Sequence, residues 1–140
     1  MDAAKKLKQL RASHHLLRHA IVRLQDYVRA YSQARLFLGE FEQQFLNYCD
    51  LQNKGFYSEL QEDCSGDRKK LKMAEFLLYD LKDLRIEYLA FIEKHPTLTN
   101  RSGAQSFPLD FTAVSSRILI RLQMEEEYLF PLLEGLKDNP

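Results

Sequence analysis

Leu7 to Tyr31, LKQLRASHHLLRHAIVRLQDYVRAY, sets Leu7, Leu10, His14, Leu17, Ile21, Leu24, Val28 and Tyr31 at alternating steps of three and four. On an α-helix that rhythm lines up one seam, the face a helix turns toward partner helices. His14 is the single polar residue in the stripe. The spacing predicts a first helix over about residues 3–32.

The same period recurs three more times. A second helix over about 34–62 places Leu38, Phe41, Phe45, Tyr48, Gln52 and Phe56 on one side, before Cys-Ser-Gly-Asp breaks the pattern at Cys64 to Asp67. Asp67 suits the N-cap of a third helix over about 68–95, which turns Ala74, Leu77, Leu81, Leu84, Tyr88 and Phe91 inward. Pro96 to about Phe107, rich in Thr, Asn, Ser and Gly, is the one long connection and the expected mobile segment. A fourth helix over about 108–136 carries Phe111, Val114, Ile118, Leu122, Glu125, Leu129 and Leu132. No strand-like alternation competes, so the class is all-α. Short connections favour antiparallel neighbours, giving an up-down-up-down four-helix bundle as one domain over residues 1–140.

Composition fits that reading. With 140 residues and 45 % apolar content, the chain can bury one continuous core. Lys plus Arg and Asp plus Glu number 20 each, so no global field draws it to nucleic acid or an anionic membrane. The charge is uneven along the chain: up to Arg35 it is basic, while Glu40 to Asp63 and Glu125 to Asp138 are mainly acidic. Complementary helix faces inside one bundle explain this. The stretch Met1 to His15 is charged and lacks an apolar segment, and no run of apolar residues is long enough for a membrane span. The expected location is therefore cytoplasmic. Cys49 and Cys64 have no metal-type spacing and read as free thiols.

Two stretches repeat each other. Tyr48-x3-Gln52-x3-Phe56-Tyr57-Ser58-x-Leu60 parallels Arg121-x3-Glu125-x3-Leu129-Phe130-Pro131-x-Leu133, and the second lies in Met124-Glu-Glu-Glu-Tyr-Leu-Phe-Pro-Leu-Leu133. This pattern, with the four-helix rhythm, resembles the hemerythrin-like cation-binding family. The resemblance implies a His-x3-Glu pair on helices two and four and a further histidine on helices one and three, enclosing iron or manganese. Carried over by position, His14 matches the helix-one histidine, with His15 an alternative in another register. Tyr48 and Gln52 stand at the His and Glu places of helix two. No histidine lies between Arg68 and Lys94 on helix three, and on helix four Arg121 stands for histidine while Glu125 is kept.

Residues at i and i+4 share a helix face, so each pair aims at one point in the core. Counted along their helices, His14, Tyr48, Gln52, Arg121 and Glu125 fall at a common depth, roughly 13 to 18 residues from the end where helices one and two join. The expectation is a polar layer in place of the metal cluster, with Arg121 compensating a buried Glu125. Glu126 and Glu127, about 100° and 200° further round an ideal helix, are expected in solvent. His15 and His19 form an i, i+4 pair able to chelate a surface metal. His95 reads as a helix-end residue interacting with the last carbonyls.

No nucleophile with a base partner and no phosphate loop emerges, so no enzyme activity and no cofactor are expected. The leading reading is a non-catalytic regulatory or protein-interaction module that binds another protein or itself. One alternative is an iron- or manganese-binding protein for oxygen or nitric oxide sensing, carriage or metal storage, with ligands from His14, His15, Glu125 and Tyr48. Another is a helical adaptor or nucleic-acid-binding protein using the basic first helix.

Overall fold

A computed structural model describes residues 1–95 and 105–137, apart from the side chain of Tyr31. The described residues are all-helical, with no strand among them, and the helices pack around a common apolar core as a helical bundle. Pro96 to Ala104, most of the connection expected to be mobile, lies outside the described residues.

Helix α1 runs from Ala3 to Asp26, capped by the Asp2 side chain, which accepts from the Lys5 N–H at 3.0 Å. Its buried face is Leu7, Leu10, His14, Leu17, Ile21 and Leu24, the seam read from the spacing. The helix stops about six residues short of the expected end. Tyr27 to Ala30 form the turn into α2, Tyr31–Asp50, and Tyr27 packs its ring 5.2 Å from Phe37. Val28 still packs against the core from within the turn, and no Gly or Pro marks the stop.

The expected second helix is in fact two. Helix α2 ends at Asp50, Leu51 and Gln52 turn, and α3 spans Lys54–Asp63. The break comes from Asn53, whose side chain caps α3 by accepting from the Phe56 N–H at 2.9 Å. Both pieces still bury the expected apolar residues, with Leu38, Phe41, Phe45 and Tyr48 in α2 and Phe56 in α3, so the periodicity survived the interruption. Asn53→Ala is expected to cost about 1 kcal/mol in a urea titration. An unchanged midpoint would mean that the kink is held by packing alone.

Helix α4, Arg68–Lys94, begins at the Asp67 N-cap and buries Ala74, Leu77, Leu81, Leu84, Tyr88 and Phe91. Its C-cap His95 is buried; the backbone N–H donates to the Phe91 carbonyl at 3.0 Å, while the side chain donates to Asp110 at 2.7 Å and ties the end of α4 to the next helix. Helix α5 spans Phe107–Met124, followed by a π-helical turn over Glu125–Leu129 and helix α6 over Phe130–Lys137. Where one continuous helix was expected, the Phe130 N–H reaches back five residues to the Glu125 carbonyl. The ion pairs Arg11 to Glu134, Arg18 to Glu126 and Arg23 to Glu40 join the basic first helix to acidic partners. Cys49 and Cys64 are free and buried, and burial pushes the Cys49 thiol up to about 11.

A candidate functional site: an arginine-centred polar core

Five polar side chains from α1, the α2–α3 turn region and the end of α5 meet in the middle of the apolar core. His14, Tyr48, Gln52, Arg121 and Glu125 are each at most 2 % exposed, and Arg121 and Glu125 are fully buried. Burying two charges without partners would cost many kcal/mol, so the partners decide whether this layer is tolerable.

Glu125 accepts at both oxygens. Its Oε1 accepts from His14 Nε2 at 2.7 Å; its Oε2 accepts from Arg121 Nε at 2.6 Å, from Gln52 Nε2 at 3.0 Å and from the Tyr48 hydroxyl. Three donors crowd Oε2, while Oε1 takes one. Arg121 is saturated. Beyond Glu125, Nη1 donates to the Leu77 carbonyl at 2.7 Å and to Asp80 at 3.1 Å, and Nη2 to Gln52 Oε1 at 3.1 Å and the Tyr57 hydroxyl at 2.8 Å. Those contacts use every one of the five guanidinium N–H donors. Tyr57 closes the ring by donating to Gln52 Oε1 at 2.7 Å. Among the described residues no buried side-chain nitrogen or oxygen lacks a partner.

The electrostatics follow. Burial alone drives the Glu125 carboxyl upward, yet the hydrogen bonds and charges of His14, Arg121 and Tyr48 outweigh it and hold it below the usual carboxylate range. Burial, reinforced by Glu125, holds the Tyr48 phenol well above its ordinary value, so it stays a donor. Arg121 is pushed down by burial but raised further by Tyr48, Glu125 and Tyr57, and remains a cation.

The sequence reading foresaw the five central residues but not the rest of the network. Glu126 was expected in solvent. Instead it is half-buried, 2.8 Å from His14 Nδ1, and clasped by both Nη atoms of Arg18. The reason is the π turn: its wider winding reduces the angle between successive side chains, so Glu125 and Glu126 flank the same imidazole. His14 thus bridges the two carboxylates, one at each ring nitrogen. Glu127, by contrast, is exposed as expected.

Tyr57 and Asp80 were missed too. Tyr57 enters because the kink at Leu51 to Asn53 turns α3 back toward the layer, which a straight helix would not do. Asp80 follows from donor counting: Leu77, whose carbonyl accepts from Arg121, lies on the inward side of α4, and an acidic residue three positions on shares that face. Asp80 also binds Arg117 at 2.8 Å, and Arg117 binds Glu87 at 3.0 Å. A chain of polar contacts therefore crosses the molecule, from Arg18 through Glu126, His14, Glu125, Arg121, Asp80 and Arg117 to Glu87.

His15, the alternative ligand in the other register, is exposed, with its ring 6.5 Å from that of His19. It is not part of the core. Among the described residues no three His, Cys, Asp or Glu side chains are grouped to hold a metal ion. The donor set itself argues the same way. Glu125 Oε2 already meets three donors, both ring nitrogens of His14 are taken up by carboxylates, and the Arg121 guanidinium stands 2.6 Å from the one central carboxylate. These residues do not fit an iron or manganese cluster. No helix among the described residues is long and apolar enough to cross a membrane. Compared with known proteins, the chain matches no protein-family model, no curated protein and no solved structure.

Proposed function

We propose that the chain is a hemerythrin-like, antiparallel up-down-up-down four-helix bundle in which an arginine-centred network replaces the metal cluster. In this reading it works in the cytoplasm as a non-catalytic regulatory or protein-interaction module. The observation that carries the proposal is the complete use of Arg121: five donors, five acceptors, and a position four residues before Glu125, where the resembled family has its His-x3-Glu pair.

The topology rests on nested contacts. Arg23 pairs with Glu40 while Lys6 reaches the Leu51 carbonyl, and His95 pairs with Asp110 while Asp80 pairs with Arg117. Residue numbers that rise on one helix while falling on its neighbour support the antiparallel reading. The iron or manganese alternative draws its ligands from His14, His15, Glu125 and Tyr48, and it is disfavoured by the exposure of His15 and by the Arg121 guanidinium 2.6 Å from Glu125. The nucleic-acid alternative is weakened because Arg11, Arg18 and Arg23 of the first helix already have carboxylate partners.

Metal analysis and a visible spectrum of protein purified without a histidine tag test the reading. The expected result is iron and manganese far below one per chain and no charge-transfer absorption. Stoichiometric, tightly held metal would overturn it, whereas weak zinc or nickel bound at His15 and His19 would not.

A further inference from the structure

The surface at the first turns of α4 carries charge and apolar area that the fold does not use. Arg68, Lys69, Lys70 and Lys72 are all exposed, and none forms an ion pair among the described residues. Cations in a helix's first turns oppose its dipole, so they do not serve the stability of α4. Lys69, Lys72, Met73 and Phe76 stand at i, i+3, i+4 and i+7 and so share one face. Across from them the π turn brings Met124 and Tyr128, and together these six residues line a groove of about 420 Å³. Phe76 is 52 % and Tyr128 43 % exposed, so each keeps apolar area that a partner would remove from water.

We propose that this groove is the docking site of the module, and that it takes an acidic amphipathic segment of a partner protein. The apolar side of such a segment would cover Phe76 and Tyr128, with its carboxylates beside Lys69 and Lys72. Two methionines in the floor suit a peptide, because unbranched thioether side chains adjust to different apolar anchors. Charge complementarity fixes the sign of the partner. The same surface is less suited to a uniformly anionic polymer or membrane: Glu75 and Glu127 directly precede Phe76 and Tyr128 in sequence, are exposed, and would repel a continuous row of phosphates. Net charge over the whole chain is zero, which removes the long-range field on which nucleic-acid binders rely.

The proposal rests on reading the chain as an interaction module, and the test keeps the two separable. The probe is a synthetic helical peptide with Leu and Phe four residues apart and Glu elsewhere on its exposed faces, titrated into the isotopically labelled full chain. Its counterpart replaces each Glu by Lys. The acidic peptide is expected to shift the backbone amides of Lys69 to Phe76 and Met124 to Tyr128, and the basic one to leave them unmoved. Lys69→Glu with Lys72→Glu should weaken binding by about tenfold or more, and Phe76→Ser by a similar factor, both being exposed positions that leave the core intact. Equal binding of both peptides, no shifts at millimolar peptide, or saturable binding of single-stranded RNA or phosphatidylserine vesicles at these residues in place of the peptide would each overturn the proposal. Metal content of the same sample is read separately: stoichiometric iron would sink the metal-free reading while leaving the groove result standing.

Discussion

Glu125→Ala is expected to destabilise the protein by about 3–5 kcal/mol, the range for removing one partner of a buried ion pair. The loss has two parts. Arg121 keeps its charge, because a guanidinium does not deprotonate in a protein, but it loses the carboxylate at 2.6 Å. His14, Tyr48 and Gln52 at the same moment lose the acceptor they share. Replacing Glu125 and Arg121 together by leucine should cost markedly less, since the double variant leaves neutral groups stranded rather than a charge. Chemical denaturation of the two variants decides the point. Equal losses would mean that Arg121 and Glu125 contribute independently and that no buried pair holds the layer.

That comparison also shows why the centre of the site was legible and its margins were not. Seam positions follow from spacing alone, so an off-pattern polar residue such as His14 or Glu125 announces itself against a leucine background. All six inward positions read for α4, and all seven for the last helix, are buried for the same reason. What spacing cannot reveal is a change of winding. Asn53 ends one helix and caps another without disturbing the apolar period, and that kink brings in Tyr57. The π turn at Glu125 is likewise silent in the pattern, yet it converts Glu126 from a solvent residue into a partner of His14. Both departures occur at the polar layer. Local irregularity concentrates where a structure has to satisfy polar groups, because a regular helix presents them at fixed angles that the network does not share. Counting donors would have narrowed the gap: a buried guanidinium needs about five acceptors, and the positions read from the sequence supplied too few.

Acid is expected to unfold the protein through this same layer. The folded-state Glu125 carboxyl lies below its ordinary value of 4.5, as does that of Glu126, and Asp110 lies below 3.8. A carboxyl with a lowered folded value contributes stability that is fully present above its unfolded value and is lost as pH falls through the folded one. The loss should therefore begin near pH 4.5 and deepen below it. At the alkaline side the sign reverses. Tyr48 is raised well above 10.0 in the folded state, so its contribution holds below about pH 10 and fades as pH rises further. Between these limits stability should be nearly flat with respect to both groups. Glu125→Gln removes the central titration while keeping an oxygen that can accept, and it should show a lower plateau with a shallower acid limb. Urea midpoints of the native protein and the variant across pH 2 to 7 make the comparison. Two acid limbs of equal steepness would place the acid sensitivity elsewhere, at Asp110 or the surface carboxylates, and would remove Glu125 as its cause.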